Sequence, residues 1–191
     1  MAARKWSLLL CWHFAFCIWG FSQQVPKTAS WRFHSINQAG LLEGEVGSAF
    51  QIQTINGIQH RTWFGGIGLG LDYYRFRGIP FFLDLRKAFS FSGKRFFVYA
   101  DGGIHFPWPT DNEKGFSGNN FFNGFYTDIG LGYELIPLAK NSWILSLGYS
   151  YKKVAEGRVD AFCPMGGPCN VNRYRFDYEL NRLSIKIGFA F

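Results

Sequence analysis

Charge is scarce in this sequence. Asp, Glu, Lys and Arg make up 17% of its 191 residues, against about 25% in ordinary soluble domains. Disorder is excluded all the same, because disordered chains have few aromatics and here aromatics reach 20%. Long apolar runs are missing beyond the N-terminal segment. None approaches the roughly 18 apolar residues of a membrane-crossing helix, which excludes a polytopic helical membrane protein. Cofactor motifs are missing too. The run Gly66-Ile67-Gly68-Leu69-Gly70 has neither the G-x-G-x-x-G spacing nor the following helix of a nucleotide loop, so no cofactor is expected. Cysteine is limited to four positions.

What is abundant is Phe (22) and Gly (23), yet mean hydropathy is only −0.05. Apolar and polar residues must therefore be finely interleaved. The N-terminal segment is separate from this pattern. Arg4 and Lys5 precede an apolar run from Trp6 to Phe21, and Gly20 and Ser22 stand at −3 and −1 of a cleavage before Gln23. This reads as a secretory signal peptide over residues 1–22. Its removal takes two cations, lowering the net charge from +7 to +5. With no basic run or recognition motif, the remaining balance does not point to nucleic acid.

Residues 23–191 alternate with period two, the signature of half-buried strands. In Phe125 to Leu135 the odd positions read Phe, Thr, Ile, Leu, Tyr, Leu, while even positions from 128 read Asp, Gly, Gly, Glu. Trp143 to Tyr151 and Trp63 to Tyr73 repeat the pattern. Eight strands are predicted, near 33–44, 48–56, 59–75, 78–90, 94–107, 120–137, 141–154 and 174–191, with no helix. Asn56-Gly57 is read as a tight hairpin turn, and Ser92-Gly93 and Lys140-Asn141 as further short turns. The two long connectors, 107–120 and 155–173, fall on one end of an up-and-down meander, opposite the termini. That asymmetry belongs to transmembrane barrels.

The residues opposite the large apolar ones decide which face is outside. They are Gly, Ser and single charges: Asp72, Asp84, Asp101, Asp128 and Glu134, with Arg86, Lys152 and Lys186 as partners. Glycine and unpaired charge cannot fill the dry core of a soluble lipocalin-like barrel, but they suit a narrow, plugged polar lumen. Large residues then face lipid, with Trp63, Tyr73, Tyr133, Trp143, Tyr149 and Tyr151 toward the ends, where interfacial girdles lie.

The chain closes on Leu183-Ser184-Ile185-Lys186-Ile187-Gly188-Phe189-Ala190-Phe191. This resembles the C-terminal signal of outer-membrane proteins read by the barrel-assembly machinery, with Phe189 and Phe191 as its aromatics. The glycine stands nearer the terminus than in the usual form. Upstream, Phe176, Tyr178 and Leu180 carry the opposite phase, which predicts a bulge near Asn181 or a segment projecting beyond the membrane. The chain as a whole resembles the small eight-stranded outer-membrane barrels, the outer membrane protein beta-barrel domain group. The resemblance implies an all-β, antiparallel, up-and-down transmembrane barrel in the outer membrane of a Gram-negative bacterium, and it carries over no functional residue.

Function is therefore expected on the exposed loops, through lipopolysaccharide, a host surface or another envelope protein. The candidates are Phe106 and Trp108 in one aromatic segment and the cations Arg75, Arg77, Lys153, Arg158 and Arg173. The alternative is an enzyme modifying lipid A, for which His105 is the inward-phase candidate, but no nucleophile stands beside it. Cys163 and Cys169 remain after signal removal and, in an exported chain, are expected to pair. Without a histidine in that loop, a metal site is not expected. A disulfide closing seven residues contributes about 2.4 kcal/mol by chain entropy and would stiffen the loop only. Cys163→Ser should thus leave the barrel folded, as read by heat-modifiable migration in electrophoresis; loss of the folded band would contradict this.

Overall fold

The computed structural model describes residues 30–45, 47–74, 76–114, 119–137, 141–162 and 170–191. The signal peptide expected over 1–22, Arg75 and the Cys163–Cys169 pair lie outside the described residues. The strands are β1 (Arg32–Glu43), β2 (Ala49–His60), β3 (Trp63–Tyr73), β4 (Arg77–Phe91), β5 (Lys94–Pro107), β6 (Asn120–Phe122), β7 (Gly124–Pro137), β8 (Ser142–Phe162) and β9 (Asn170–Ala190). A four-residue helix, α1 (Asp111–Lys114), stands in the β5–β6 connector, where no helix was expected.

Every pairing is antiparallel: β1 to β5 pair in sequence order, β5 pairs with β7, β7 with β8, the short β6 with β8, and β9 with both β8 and β1. The short β6 and the longer β7 lie end to end beside β8. The sheet is thus closed, with eight staves in up-and-down order, and closure leaves no sheet edge within the barrel wall. The start of β1 and the end of β9 lie at one end, where Ser35 and Phe191 exchange backbone hydrogen bonds of 2.8 and 2.9 Å.

The Asn56-Gly57 turn expected from the sequence is not there. Both residues lie inside β2, opposite Ile67 and Gly66, and the chain turns instead at Arg61-Thr62. Arg61 takes the left-handed conformation (φ 57°) that a two-residue hairpin turn demands. Gly57 is needed for another reason: a Cβ there would run into the carbonyl of Gly65 on the neighbouring strand. At Ser92-Gly93 the turn stands where expected, with φ of 50° and 75°.

β9 carries no bulge near Asn181. Its register against β8 is unbroken from Asn170 to Ala190, whereas β1 accompanies it only from Leu183 to Ala190. The phase inversion upstream is that of a projecting hairpin. Above the barrel wall Tyr178 and Leu180 keep the inward phase, and Leu180 packs on Leu42, Ala49 and Tyr74 at the mouth.

The outer surface is an apolar belt. Ile52, Ile67, Leu83, Leu85, Ile129, Leu131, Leu147 and Ile185 are each about half exposed or more. Such a contiguous surface cannot face water in a soluble monomer. Inside, the filling is richer in aromatics than the alternation suggests. Phe64, Phe82, Phe97, Tyr99 and Tyr126 point inward and pack with Ile36, Ile55 and Ile144. The inward glycines are the counterpart of these rings: a Cβ at Gly68 would strike the Phe82 ring, one at Gly132 the Phe97 ring, and one at Gly148 the Tyr99 hydroxyl. The outward Gly65, by contrast, meets nothing within 4 Å.

Gly68→Val should therefore destabilise the barrel by about 1–3 kcal/mol through overpacking, while Gly65→Val should be near neutral. Denaturant titration of the protein folded in lipid vesicles measures both; equal effects would refute the ring-and-hollow packing.

Candidate functional site

The inward phase of the strands fixes which side chains meet in the bore. On β4, β5 and β7 the register sets Asp84, Asp101 and Asp128 side by side in one row. Like charges at that spacing repel unless cations intervene. Two do. Arg86 holds Asp84 through its Nε at 2.9 and 3.0 Å and a terminal nitrogen at 2.8 Å. Lys186, reaching in from β9, places its Nζ 2.9 Å from Asp128 and 3.9 Å from Asp101. Asp128 also accepts from Tyr99 at 2.9 Å and from Ser184 at 3.1 Å.

A second pair lies nearer the mouth. Lys152 on β8 donates to Asp72 on β3 at 2.5 Å, and both side chains are 0% exposed. The Lys152 ammonium also stands 4.1 Å over the Tyr74 ring, and Tyr74 shares a hydrogen bond with Ser150. Gln38, Gln53 and Tyr126 form a chain across the bore, Gln38 donating to Gln53 at 2.6 Å and Gln53 to the Tyr126 hydroxyl at 2.8 Å. Glu134 sits toward the short-turn end, half-buried, 3.3 Å from Arg95.

Arg182 completes the charge balance and escaped the sequence reading. It is buried at the mouth and donates to three backbone carbonyls, those of Leu42 (3.0 Å), Gly47 (2.6 Å) and Tyr74 (2.7 Å). The signal was present, since Arg182 shares the even phase of Ser184 and Lys186, but the inversion just upstream hid it. With Arg182, four buried cations stand, among the described residues, against the four buried aspartates of the bore. A buried ion needs such a partner or several oriented dipoles; Asp101 is the least served, with Lys186 3.9 Å away and no hydrogen bond to either carboxylate oxygen.

His105 lies inside, 1% exposed, with its ring against the Cα of Gly78 and 6.2 Å from that of Phe76. Among the described residues no group of three or more His, Cys, Asp and Glu side chains is arranged to hold a metal ion.

Outside the bore, the candidate surface residues fall in two places. Arg77 and Trp108 come together beside β4, the guanidinium 3.9 Å over the indole and its Nε 3.1 Å from the Trp108 carbonyl. Phe106 faces outward on the adjoining end of β5. Lys153, Arg158 and Arg173 lie on the β8–β9 hairpin. There Lys153 pairs with Glu179 at 3.5 Å and Arg158 with Glu156 at 3.4 Å, while Arg173 stands opposite Val159. Glu156, buried at the base of the hairpin, also accepts from Asn119 at 2.8 Å and thereby ties the long β5–β6 connector to β8. Phe189 and Phe191 lie at the closing end of β9, 6.0 Å apart, with Phe189 against Trp143.

Polar inside and apolar outside is the inverse of a soluble barrel and the arrangement of a membrane-spanning one. No helix among the described residues is long and apolar enough to cross a membrane, and the apolar belt is borne by strands. No protein-family model matches the sequence, and no curated protein matches it. Among solved structures, the chain is similar to the outer membrane protein OprG from Pseudomonas aeruginosa, with 13% identity and a TM-score of 0.44, over 88% of this chain and 98% of that one. A likeness at that level carries nothing about activity.

Lys186→Met leaves Asp128 and Asp101 without their ammonium and should cost about 3–5 kcal/mol of stability. Adding Asp128→Asn should recover part of that loss. Unfolding in lipid vesicles tests the pair, and strictly additive losses would show that the contact is not a coupled one.

Proposed function

We propose that this chain is an integral protein of a Gram-negative outer membrane, with a closed lumen and its activity carried by surface above the bilayer. The observation that carries this is the contrast between bore and hairpin. The bore is filled by paired ions and aromatic rings, and eight staves leave room only for side chains. The β8–β9 hairpin instead continues well past the barrel wall, and residues Asn170–Asp177 are exposed throughout. Building and ordering such a projection has no use for a channel but suits contact with a partner.

Orientation follows from the connectors. The short turns lie at the end bearing the start of β1 and the end of β9, and the long β5–β6 and β8–β9 connections lead off the other, which in outer-membrane barrels is the extracellular side. The C-terminal Phe189 and Phe191 fit recognition by the barrel-assembly machinery during insertion. Arg77, Lys153, Arg158 and Arg173 lie on the outer side, within reach of lipopolysaccharide phosphates, to which charge-assisted hydrogen bonds are the strong contacts. Enzymatic modification of lipid A is the less supported reading, because His105 is buried among lumen side chains rather than open to the lipid face.

Planar-bilayer recording of the refolded protein should give no steady conductance, and lipid A from cells with and without it should have the same acyl pattern by mass spectrometry. A stable open channel would sink the closed-lumen reading. An acyl change abolished by His105→Ala would sink the non-enzymatic one.

A further inference from the structure

The hairpin leaves one strand edge open. Beyond Leu183, β9 has β8 on one side and, among the described residues, no strand on the other. Which groups face that open side follows from the closing pair. Ser35 and Phe191 exchange both backbone hydrogen bonds, so odd-numbered residues of β9 aim their N–H and C=O toward the β1 side. With no register shift along β9, the same holds for Arg173, Arg175, Asp177 and Glu179. An exposed edge of this length is a template for another strand.

The sequence of that edge, Arg173-Tyr174-Arg175-Phe176-Asp177-Tyr178-Glu179, is charge-complementary to itself when reversed. Laid antiparallel on a second copy and centred on Phe176, Arg173 meets Glu179 and Arg175 meets Asp177 as hydrogen-bonded pairs. Tyr174 meets Tyr178 and Phe176 meets its own copy at non-hydrogen-bonded positions. Opposite charges and aromatic pairs directly across are the favourable cross-strand contacts, and like charges are unfavourable. A parallel, in-register arrangement would set arginine beside arginine and carboxylate beside carboxylate. The charges are held by exposed contacts: Arg175 lies 3.3 Å from Asp177 and 5.0 Å over the Phe122 ring, and Lys153 lies 3.5 Å from Glu179, each of these charged side chains more than half exposed. Such pairs contribute little and can be exchanged for intermolecular ones.

We propose that the β9 edge is a homophilic seam on which two copies of this chain pair antiparallel about Phe176. Its direction has a consequence. β9 descends into its own barrel, so an antiparallel partner strand descends the opposite way and its barrel lies on the other side. The two copies therefore sit in facing membranes, and the seam links one outer-membrane surface to another. This rests on the membrane-embedded, hairpin-outward reading above, and the experiment separates the two.

Vesicles carrying the refolded protein, hairpin outward, should aggregate in light scattering. Arg173→Glu/Arg175→Glu vesicles alone, and Asp177→Arg/Glu179→Arg vesicles alone, should each lose at least about tenfold of that association. A mixture of the two should regain it. In a Cys163→Ser/Cys169→Ser background, Phe176→Cys should form a disulfide dimer on oxidation, since non-hydrogen-bonded partners stand roughly 4.5 Å apart at Cα. Val171→Cys should not, because its two copies would lie far apart along the strand. Failure of the charge mixture to regain association, or equal crosslinking at both positions, overturns the seam if the protein is inserted and heat-modifiable. Wild-type vesicles that stay dispersed, with the protein inserted, overturn it as well. Protein that does not insert at all overturns the membrane reading instead.

Discussion

Every backbone N–H and C=O that lies within a bilayer must find its partner in the protein, because lipid offers none. For a chain built of strands, the only solution is a sheet closed on itself. Here that closure is the pairing of β1 with β9, from Ile36 opposite Ala190 to Glu43 opposite Leu183. The rest follows from it. Closure forces alternate residues into a narrow bore, the bore must then be filled, and its filling must be electrically balanced.

Two kinds of filling share the bore. Aromatic rings occupy hollows left by glycine on neighbouring strands, so the high counts of Phe and Gly are partly one feature seen from two sides. Ion pairs occupy the remainder, and they link distant strands: Lys186 on β9 reaches Asp128 on β7, and Lys152 on β8 reaches Asp72 on β3. Buried pairs of this kind add little net stability over apolar packing, but mismatching them is costly, which suits them to fixing strand register.

Above the wall the same strands obey a different rule. From Asp177 to Asn170, β9 is exposed on both faces, and its alternation no longer separates lipid from lumen. Charges return to the outward phase, and one strand edge loses its neighbour. The hairpin is thus ordered by pairing with β8 and by Glu156 holding the adjacent connector, while its other edge stays available. That division between a fully satisfied wall and an unsatisfied edge is where an interaction function has physical room.

The alternation of residues 33–191 by itself determined strand identity, the count of eight, the antiparallel meander and the inward set of Asp72, Asp84, Asp101, Asp128, Arg86, Lys152 and Lys186. Side-chain period is a local property of a strand, so it can be read one residue at a time. What it could not determine is which residues meet. Asn56-Gly57 looked like a turn because its local chemistry permits one, yet the pairing of β2 with β3 carried the strand four residues further, to a turn at Arg61. Arg182 was invisible because its three carbonyl partners come from the two connectors at the mouth and the end of β1, 108 to 140 residues away in sequence. The inward placing of Phe82 and Phe97 was not legible, since hydropathy does not know that a glycine on the paired strand leaves room for a ring. Partner choice depends on closure, and closure is a property of the whole sheet.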